Sequence, residues 1–187
     1  LLVDLGTDIL PGLALGVDPP ERGAMQQQPR AFGGRMVNRG LLLRALGFLG
    51  MIAAILSLTG YFLAQWDFTS GFSESLIDDG PLYRQATTIT FAGIVACQIG
   101  NAFACRSERE SILTLGFLTN KPLLLAIAAE IALLVILIEV PAFRDIFNLE
   151  PIEPQFWPML AAFPPLFLAV EELRKFIRRR LAAASPR

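Results

Sequence analysis

Long apolar runs restrict what this chain can fold into more than any other feature of its sequence. The segment from Ala45 to Ala64 contains twenty residues without a formal charge. A run of about 20 apolar residues can cross the hydrocarbon core of a bilayer as a helix, and a helix satisfies its own backbone hydrogen bonds there. Only 18% of the 187 residues are charged, whereas soluble domains carry about 25%. The chain is therefore predicted to be an integral membrane protein.

Four full spans and one partial span can be recognised along the chain. The partial segment, residues 1–17, contains two acidic residues. The last span is short and contains Pro158, Pro164 and Pro165. The predicted fold is an all-α membrane protein, a bundle of four full transmembrane helices plus one partial, interrupted helix. The full spans are predicted at residues 45–66, 86–105, 121–140 and 155–178, and Asn120 is predicted to cap the third, with Pro122 in its first turn.

Several common kinds of site are not supported by the sequence. The chain has no histidine, and its two cysteines, Cys97 and Cys105, lie in or at the end of one apolar run. A zinc site or a disulfide framework is therefore not expected. The lipid bilayer is the expected partner, and no nucleic-acid partner is expected. The chain begins inside an apolar segment, at Leu1 and without a signal sequence, so we expect it to be part of a longer protein.

Basic and acidic connections alternate between the spans. The loop at residues 18–44, the loop at 106–121 and the carboxy-terminal stretch from Arg174 to Arg187 hold fourteen of the sixteen Lys and Arg residues. The loops at 67–85 and 141–155 hold only Arg84 and Arg144 among basic residues and are otherwise acidic. By the positive-inside rule, the basic loops and the tail (residues 181–187) are predicted to be cytoplasmic at the cell membrane. The partial first segment then enters from the outside.

The partial segment carries polar residues that are costly in a membrane. An ionisable residue at the centre of a span costs about 2.5–3.5 kcal/mol on insertion scales, so it usually faces a cavity or a partner. Asp4 and Asp8 are four residues apart, so their carboxylates share one face of a helix. Thr7 lies beside them on the same turn. These three residues are therefore predicted to form a cation site, with Asp4 and Asp8 as the metal-binding carboxylates.

A predicted helix interruption adds backbone oxygens to that site. Pro11 has no amide hydrogen and denies a partner to the carbonyl of Thr7, while Gly6 and Gly12 loosen the backbone on either side. Hard oxygen ligands of this kind hold Na⁺, K⁺ or Ca²⁺, and transporters build ion sites from interrupted helices. The alternative is a re-entrant or interfacial turn in which the aspartates are hydrated.

Three further polar residues lie within the predicted spans. Gln98 and Asn101 are spaced i,i+3 and share a face. They could form interhelical hydrogen bonds, worth about 0.6 kcal/mol on average in membranes, or contribute to ion binding. Glu130 lies near the middle of the third full span. It is either protonated and hydrogen-bonded, with Gln98 as one available partner, or part of an ion pathway. The arginine-rich end of the chain is interpreted as a cytoplasmic anchor that meets anionic lipid.

The order of these motifs resembles type II P-type ATPases. Asp4-Leu5-Gly6-Thr7-Asp8, followed by Leu10-Pro11 and Asp18-Pro19-Pro20-Glu21, is similar to the sixth transmembrane segment of that family. Met25 with Gln28-Pro29-Arg30 resembles the family's Met-x-x-x-Pro-Arg pattern. The eighth, ninth and tenth segments are matched in order by Thr87-Thr88-Ile89-Thr90-Phe91 with Gln98 and Asn101-Ala102-Phe103, by Asn120-Lys121-Pro122-Leu123-Leu124, and by Glu171-Glu172-Leu173-Arg174-Lys175.

The resemblance implies a cation pump that cycles through an aspartyl phosphate. It places Asp4, Thr7 and Asp8 at cation-ligand positions of the sixth segment. It also places Gln98, Asn101 and Glu130 at positions that form a further sodium site in the sodium/potassium pump, although Asn101 stands where that pump has an acid. Calcium pumps have Asn at the position of Asp4 and Glu at that of Gln98, so the chain is closer to the sodium/potassium and proton/potassium pattern there. The transported cation is left open among Na⁺, K⁺, Ca²⁺ and H⁺.

The resemblance also implies that the chain is incomplete as a pump. It contains no Asp-Lys-Thr-Gly phosphorylation motif and nothing that resembles a nucleotide-binding domain. We expect it to bind no cofactor and to hydrolyse no ATP alone, while the parent needs ATP and Mg²⁺. Its expected partners are the missing amino-terminal spans and cytoplasmic domains of that parent. The alternatives are a stand-alone membrane scaffold or accessory remnant, and a small ATP-independent ion transporter.

Overall fold

A computed structural model describes residues 2–19, 37–66, 80–107 and 110–184. The side chains of residues 2–6 and 182–184 lie outside that description. So do the Met25 to Arg30 stretch, most of the predicted loops at 18–44 and 67–85, and residues 185–187. The described residues form helices joined by turns, and none of them is in a strand.

Seven helical elements follow one another along the described chain. Four of them, α2, α3, α5 and α7, are long and apolar enough to cross a membrane, which confirms the predicted all-α bundle with four full spans. A single turn of 3₁₀-helix, Pro154–Phe156, leads into α7. The elements are α1 (Leu2–Leu15), α2 (Arg39–Ala64), α3 (Gly80–Ala104), α4 (Ile112–Leu115), α5 (Lys121–Glu139), α6 (Pro141–Phe147) and α7 (Trp157–Ala184).

The spans begin where local capping begins, not where the apolar runs begin. α2 starts six residues before the predicted Ala45, because the side chain of Asn38 accepts a hydrogen bond of 2.7 Å from the amide of Leu41. α3 starts at Gly80, which has a positive φ of 90° that glycine adopts readily. The predicted start of α5 is confirmed, since Asn120 caps it and a proline lies in its first turn.

Proline residues do not end the helices in which they lie. α7 runs unbroken through Pro164 and Pro165, so these prolines do not shorten the span predicted at residues 155–178. α1 likewise continues through Pro11, and the interruption expected from Gly6, Pro11 and Gly12 does not terminate it. A proline removes one backbone hydrogen bond and adds a local clash. Packing against neighbouring helices supports such helices in membranes.

α3 is the central helix of the bundle and contacts α1, α2, α5 and α7. Its small residues allow this close packing, as is usual at membrane helix interfaces. A Cβ added to Gly100 would lie 2.9 Å from the carbonyl oxygen of Pro164, and one added to Gly93 would lie 3.1 Å from the ring of Phe163. The larger core cluster therefore lies where α2, α3 and α7 meet.

A smaller core cluster holds α1 against the bundle. It joins Ala14 of α1 to Ala102 of α3 and to a stripe on α5 formed by Leu123, Ala126 and Ile127. The helix that carries the predicted cation ligands is thus packed on two of the four spans.

The spans alternate in direction, as contacts at the two ends of the bundle show. At one end, Arg106 at the end of α3 pairs with Asp18 after α1, and Arg44 in the first turns of α2 pairs with Glu171 of α7. At the other end, the hydroxyl of Thr88 in α3 accepts a hydrogen bond from the amide of Glu150, which precedes α7. We call the first end the basic rim, defined by Asp18, Arg44, Arg106, Asn120 and residues 171–175.

Candidate cation site

The predicted ligands on α1 do not share one environment. Thr7 is 2% exposed and faces the bundle. Asp8 is the next residue and is exposed at the edge of that face, where it interacts with other residues of the chain. Asp4 lies one turn earlier in α1, but its side chain is outside the described part. The structure therefore places Thr7 at the helix interface and Asp8 beside it.

Pro11 still shapes the chemistry of α1, although the helix continues through it. It is buried and has no amide hydrogen, so the carbonyl of Thr7 does not receive the hydrogen bond of a regular helix. This oxygen lies one residue from the Asp8 carboxylate. The oxygen-rich surroundings of Asp8 stay a prediction, in a helix that is continuous.

Glu130 lies on the face of α5 that packs toward α1 and α3. Its neighbours on that face are Ile127 and Leu134, and it is 2% exposed. Neither carboxylate oxygen has a hydrogen-bond partner within the described part of the chain. The Asp8 carboxylate is close enough to interact with it electrostatically. The buried Glu130 of α5 therefore has the exposed Asp8 of α1 as an electrostatic neighbour.

Gln98 and Asn101 lie on a different side of α3. They line a cavity of about 220 Å³ with Ala45 and Leu49 of α2 and Phe167 of α7. The side-chain oxygen of Gln98 is buried there without a hydrogen-bond partner among the described residues, and that of Asn101 accepts from the thiol of Cys105 at 3.5 Å. The structure brings these two residues together but does not bring Glu130 into their cavity. Gln98, one of the partners available to Glu130 in the sequence, does not bond to it, since neither carboxylate oxygen of Glu130 has a hydrogen-bond partner in the described chain.

The described residues alone do not form a multi-ligand metal cluster. No group of three or more Cys, Asp or Glu side chains suited to a metal ion occurs among them. Of the predicted ligands whose side chains are described, only Asp8 is shown to interact electrostatically with Glu130.

The basic rim contains ion pairs that the sequence interpretation missed. Glu171 is fully buried and accepts hydrogen bonds of 2.6 Å from both Arg44 and Arg174. Lys175 is also buried, donating to the carbonyl of Ala104 and pairing with Glu172 at 3.3 Å each. Lys175 thus binds α3, so the lipid-anchor interpretation is wrong for this residue, whereas Arg174 supports Glu171 from within α7. The i,i+3 spacing could have indicated the pairs within α7, whereas nothing in the sequence identifies Arg44 as a partner.

Comparison with known proteins decides the family. Residues 1–177 match the family described as "Cation transporting ATPase, C-terminus". The chain belongs to this family. Its membership confirms the resemblance to P-type ATPases that the motif order indicated.

Related cation-transporting ATPases differ in the ions for which they are named. The chain is 29% identical to a calcium-transporting ATPase 1 of Bacillus cereus. It is 30% identical to the sodium/potassium-transporting ATPase subunit alpha-3 of Rattus norvegicus, and 28% identical to the potassium-transporting ATPase alpha chain 1 of Xenopus laevis. Each match covers 96% of this chain and 20% of the relative. The chain thus spans about a fifth of the length of these relatives, and its similarity does not single out one ion.

The fold and the family agree. Four apolar helices of membrane-spanning length and a match over nearly the whole chain make this a multi-pass membrane protein, the carboxy-terminal membrane part of a P-type cation-transporting ATPase.

Proposed function

We propose that this chain supplies cation ligands to an ATP-driven pump that transports a monovalent or divalent cation. Asp4, Thr7 and Asp8 are the proposed ligands, with Asp4 and Asp8 as the metal-binding carboxylates. ATP and Mg²⁺ act on other parts of the parent protein. The observation that carries the proposal is Glu130, a buried acid without a hydrogen-bond partner in the described chain, on the α5 face that packs toward α1.

The environment of Glu130 favours ion handling over a structural role. A buried charge is retained for stability only when a partner compensates its desolvation, and ionisable residues inside membrane spans usually mark an ion pathway. In this protein the buried Glu171 has two arginine partners, whereas Glu130 has an acid, Asp8, as its electrostatic neighbour. A cation between α1 and α5 would compensate both carboxylates.

Of the predicted set Gln98, Asn101 and Glu130, only the two amide residues are retained as a proposed further cation site. Two amide side chains in one cavity offer neutral oxygen ligands, which suit a weakly held monovalent cation. Because Glu130 lies outside that cavity, it would act with Asp8 and not directly with the amides.

Energy coupling must come from outside this chain. Coupling requires a linkage between the ion site and a second site at which phosphorylation occurs, and no phosphorylation motif is present in these 187 residues. We therefore propose that the chain hydrolyses no ATP alone.

The basic rim is proposed to face the cytoplasm. The alternating contacts at the two ends of the bundle gather Arg44, Arg106 and Lys175 at one end, which is the arrangement that the positive-inside rule associates with the cytoplasmic side. Reporter fusions at Arg187 are expected to be cytoplasmic and fusions at Gly80 external. The opposite pattern would overturn this orientation.

The ligand assignment is tested by Asp8→Asn in the full-length ATPase. Cation-dependent phosphorylation by ATP is expected to be lost while expression in the membrane is maintained. Asp145→Asn is the matched control, since Asp145 lies exposed on α6 at the opposite end of the bundle and should leave cation dependence intact. Unchanged cation dependence in Asp8→Asn would refute the assignment.

The two alternative functions predict different outcomes of a flux measurement. Cation uptake into vesicles that contain the full-length protein should require ATP. Uptake without ATP would favour an ion transporter that does not use it, and the absence of any flux would favour a scaffold.

A further inference from the structure

The end of α1 is held by a side chain from a distant part of the sequence. Arg106 donates two hydrogen bonds to the carboxylate of Asp18, from Nε at 2.8 Å and from Nη2 at 3.0 Å. It also donates to the carbonyl of Gly116 and to the hydroxyl of Thr119, at 2.7 Å each. The Arg106 side chain is only 2% exposed. One guanidinium group thus joins the end of α1 to both ends of the connection between α3 and α5.

A second side chain makes the same connection independently. The amide nitrogen of Asn120 donates at 3.0 Å to the carbonyl of Ala14, in the last turn of α1. Its oxygen accepts at 2.9 Å from the amide of Leu123 in the first turn of α5. The last carbonyls of a helix have no partner within that helix, so Asn120 caps the end of α1 and the start of α5 at once.

These contacts restrict both the sliding of α1 along its axis and its rotation about that axis. Ala14 is one of the α1 residues packed on α3 and α5 and comes six residues after Asp8, about 9 Å along the helix; Asp18 follows the last helical residue, Leu15. A regular helix transmits a shift or rotation at its end to the residues two turns away. The environment of Thr7 and Asp8 therefore depends on how the end of α1 is held.

We infer that Arg106 is a positioning residue for the cation-binding helix, with Asn120 as its companion. Together they hold α1 against α5 so that Thr7 and Asp8 face Glu130. This inference rests on the proposed function. It assigns a role in cation affinity to the connection between α3 and α5, whose sequence indicates only a basic loop.

The test compares Arg106→Gln, Arg106→Lys and Asp18→Asn in the full-length ATPase. We expect Arg106→Gln and Asp18→Asn to raise the cation concentration for half-maximal phosphorylation by about tenfold, within the range of coupling between linked sites. The maximal phosphorylation of correctly folded protein should be unchanged. Arg106→Lys keeps a positive charge for Asp18 and should restore much of the affinity.

Arg39→Gln is the matched control. Arg39 lies exposed in the first turn of α2, so the variant removes the same charge and is expected to change the half-maximal concentration by no more than about twofold. An equal effect of Arg39→Gln would show that charge near the membrane, and not the contact with Asp18, sets the affinity, and this would overturn the inference.

Three other outcomes separate this inference from the proposed function. Unchanged half-maximal cation concentrations in both Arg106→Gln and Asp18→Asn, with reduced thermal stability, would reject the positioning role and leave the proposed function standing. Failure of both variants to assemble in the membrane would also reject it, since the contact would then serve folding alone. If the unmodified ATPase shows no cation dependence, the proposed function fails and the inference fails with it.

Discussion

The basic rim and the α1–α5 interface both contain a buried acid, but the two acids have opposite kinds of neighbours. At the rim, Glu171 is fully buried between two arginines, and each arginine is bonded to it at 2.6 Å. At the α1–α5 interface, Glu130 is equally buried but has no hydrogen-bond partner among the described residues, and its electrostatic neighbour is another acid. The buried acids therefore serve different purposes in the two regions.

The difference indicates which acids hold the fold and which serve the site. When one partner of a buried ion pair is removed, the folded protein loses much of its stability, because the remaining charges are buried without compensation. A buried polar group without a partner already carries its desolvation cost in the folded protein. Removing the acid should therefore destabilise the rim and stabilise the interface.

The largest change in the free energy of unfolding is expected at the basic rim. Glu171→Met would leave the half-buried Arg44 and Arg174 at the contact between α2 and α7 without their shared, fully buried acid. We expect a loss of about 3–5 kcal/mol in the free energy of unfolding, measured by denaturant titration of the detergent-solubilised protein.

Glu139→Met provides the control for this variant. Glu139 is exposed at the end of α5, so its removal should change the free energy of unfolding by about 0.5 kcal/mol or less. A loss at Glu171 no larger than the loss at Glu139 would show that the rim ion pairs do not hold the helices together.

A smaller effect is expected where the bundle is joined by close packing instead of charge. In Gly100→Ala the new methyl group would lie 2.9 Å from the Pro164 carbonyl oxygen, a backbone atom of α7 that cannot rotate away. We expect a loss of about 1–3 kcal/mol in the free energy of unfolding from overpacking. Gly47→Ala, with nothing within 4 Å of the added carbon, should be neutral or slightly stabilising. Equal losses in the two variants would mean that helix propensity, and not the contact with α7, decides the result.

Much of the fold follows from local features of the sequence. The length of the apolar runs predicts the four spans because a bilayer has a fixed thickness. Asn120 and Pro122 predict the start of α5 because a cap needs only a side chain and the next three residues. The role of Pro164 could not be predicted in the same way, since a proline ends an isolated helix more readily than one supported by its neighbours.

The candidate site is only partly predictable for the same reason. The pairing of Asp4 with Asp8 follows from helical spacing alone, and it stays a prediction because the side chain of Asp4 lies outside the described part of the chain. The separation of Gln98 from Glu130 depends on which faces of α3 and α5 pack against each other. Helical spacing shows which residues share a face of one helix, but it does not show how two helices are oriented relative to each other. The contact between Asp18 and Arg106 joins residues 88 positions apart, which no local pattern encodes.

The smallest expected change in the free energy of unfolding is a gain, and it tests the comparison between Glu171 and Glu130 most directly. Glu130→Met makes the same replacement as Glu171→Met at an equally buried position, but it removes two oxygens that have no partner in the described chain. We expect a gain of about 1 kcal/mol in the free energy of unfolding, together with weaker cation-dependent phosphorylation of the full-length ATPase. A loss of stability comparable to that of Glu171→Met would mean that Glu130 is held by contacts like those of the rim. The acid would then be structural, and its position opposite Asp8 would no longer support a role in cation binding. A gain in stability with weakened cation dependence is the combination that only a functional acid produces.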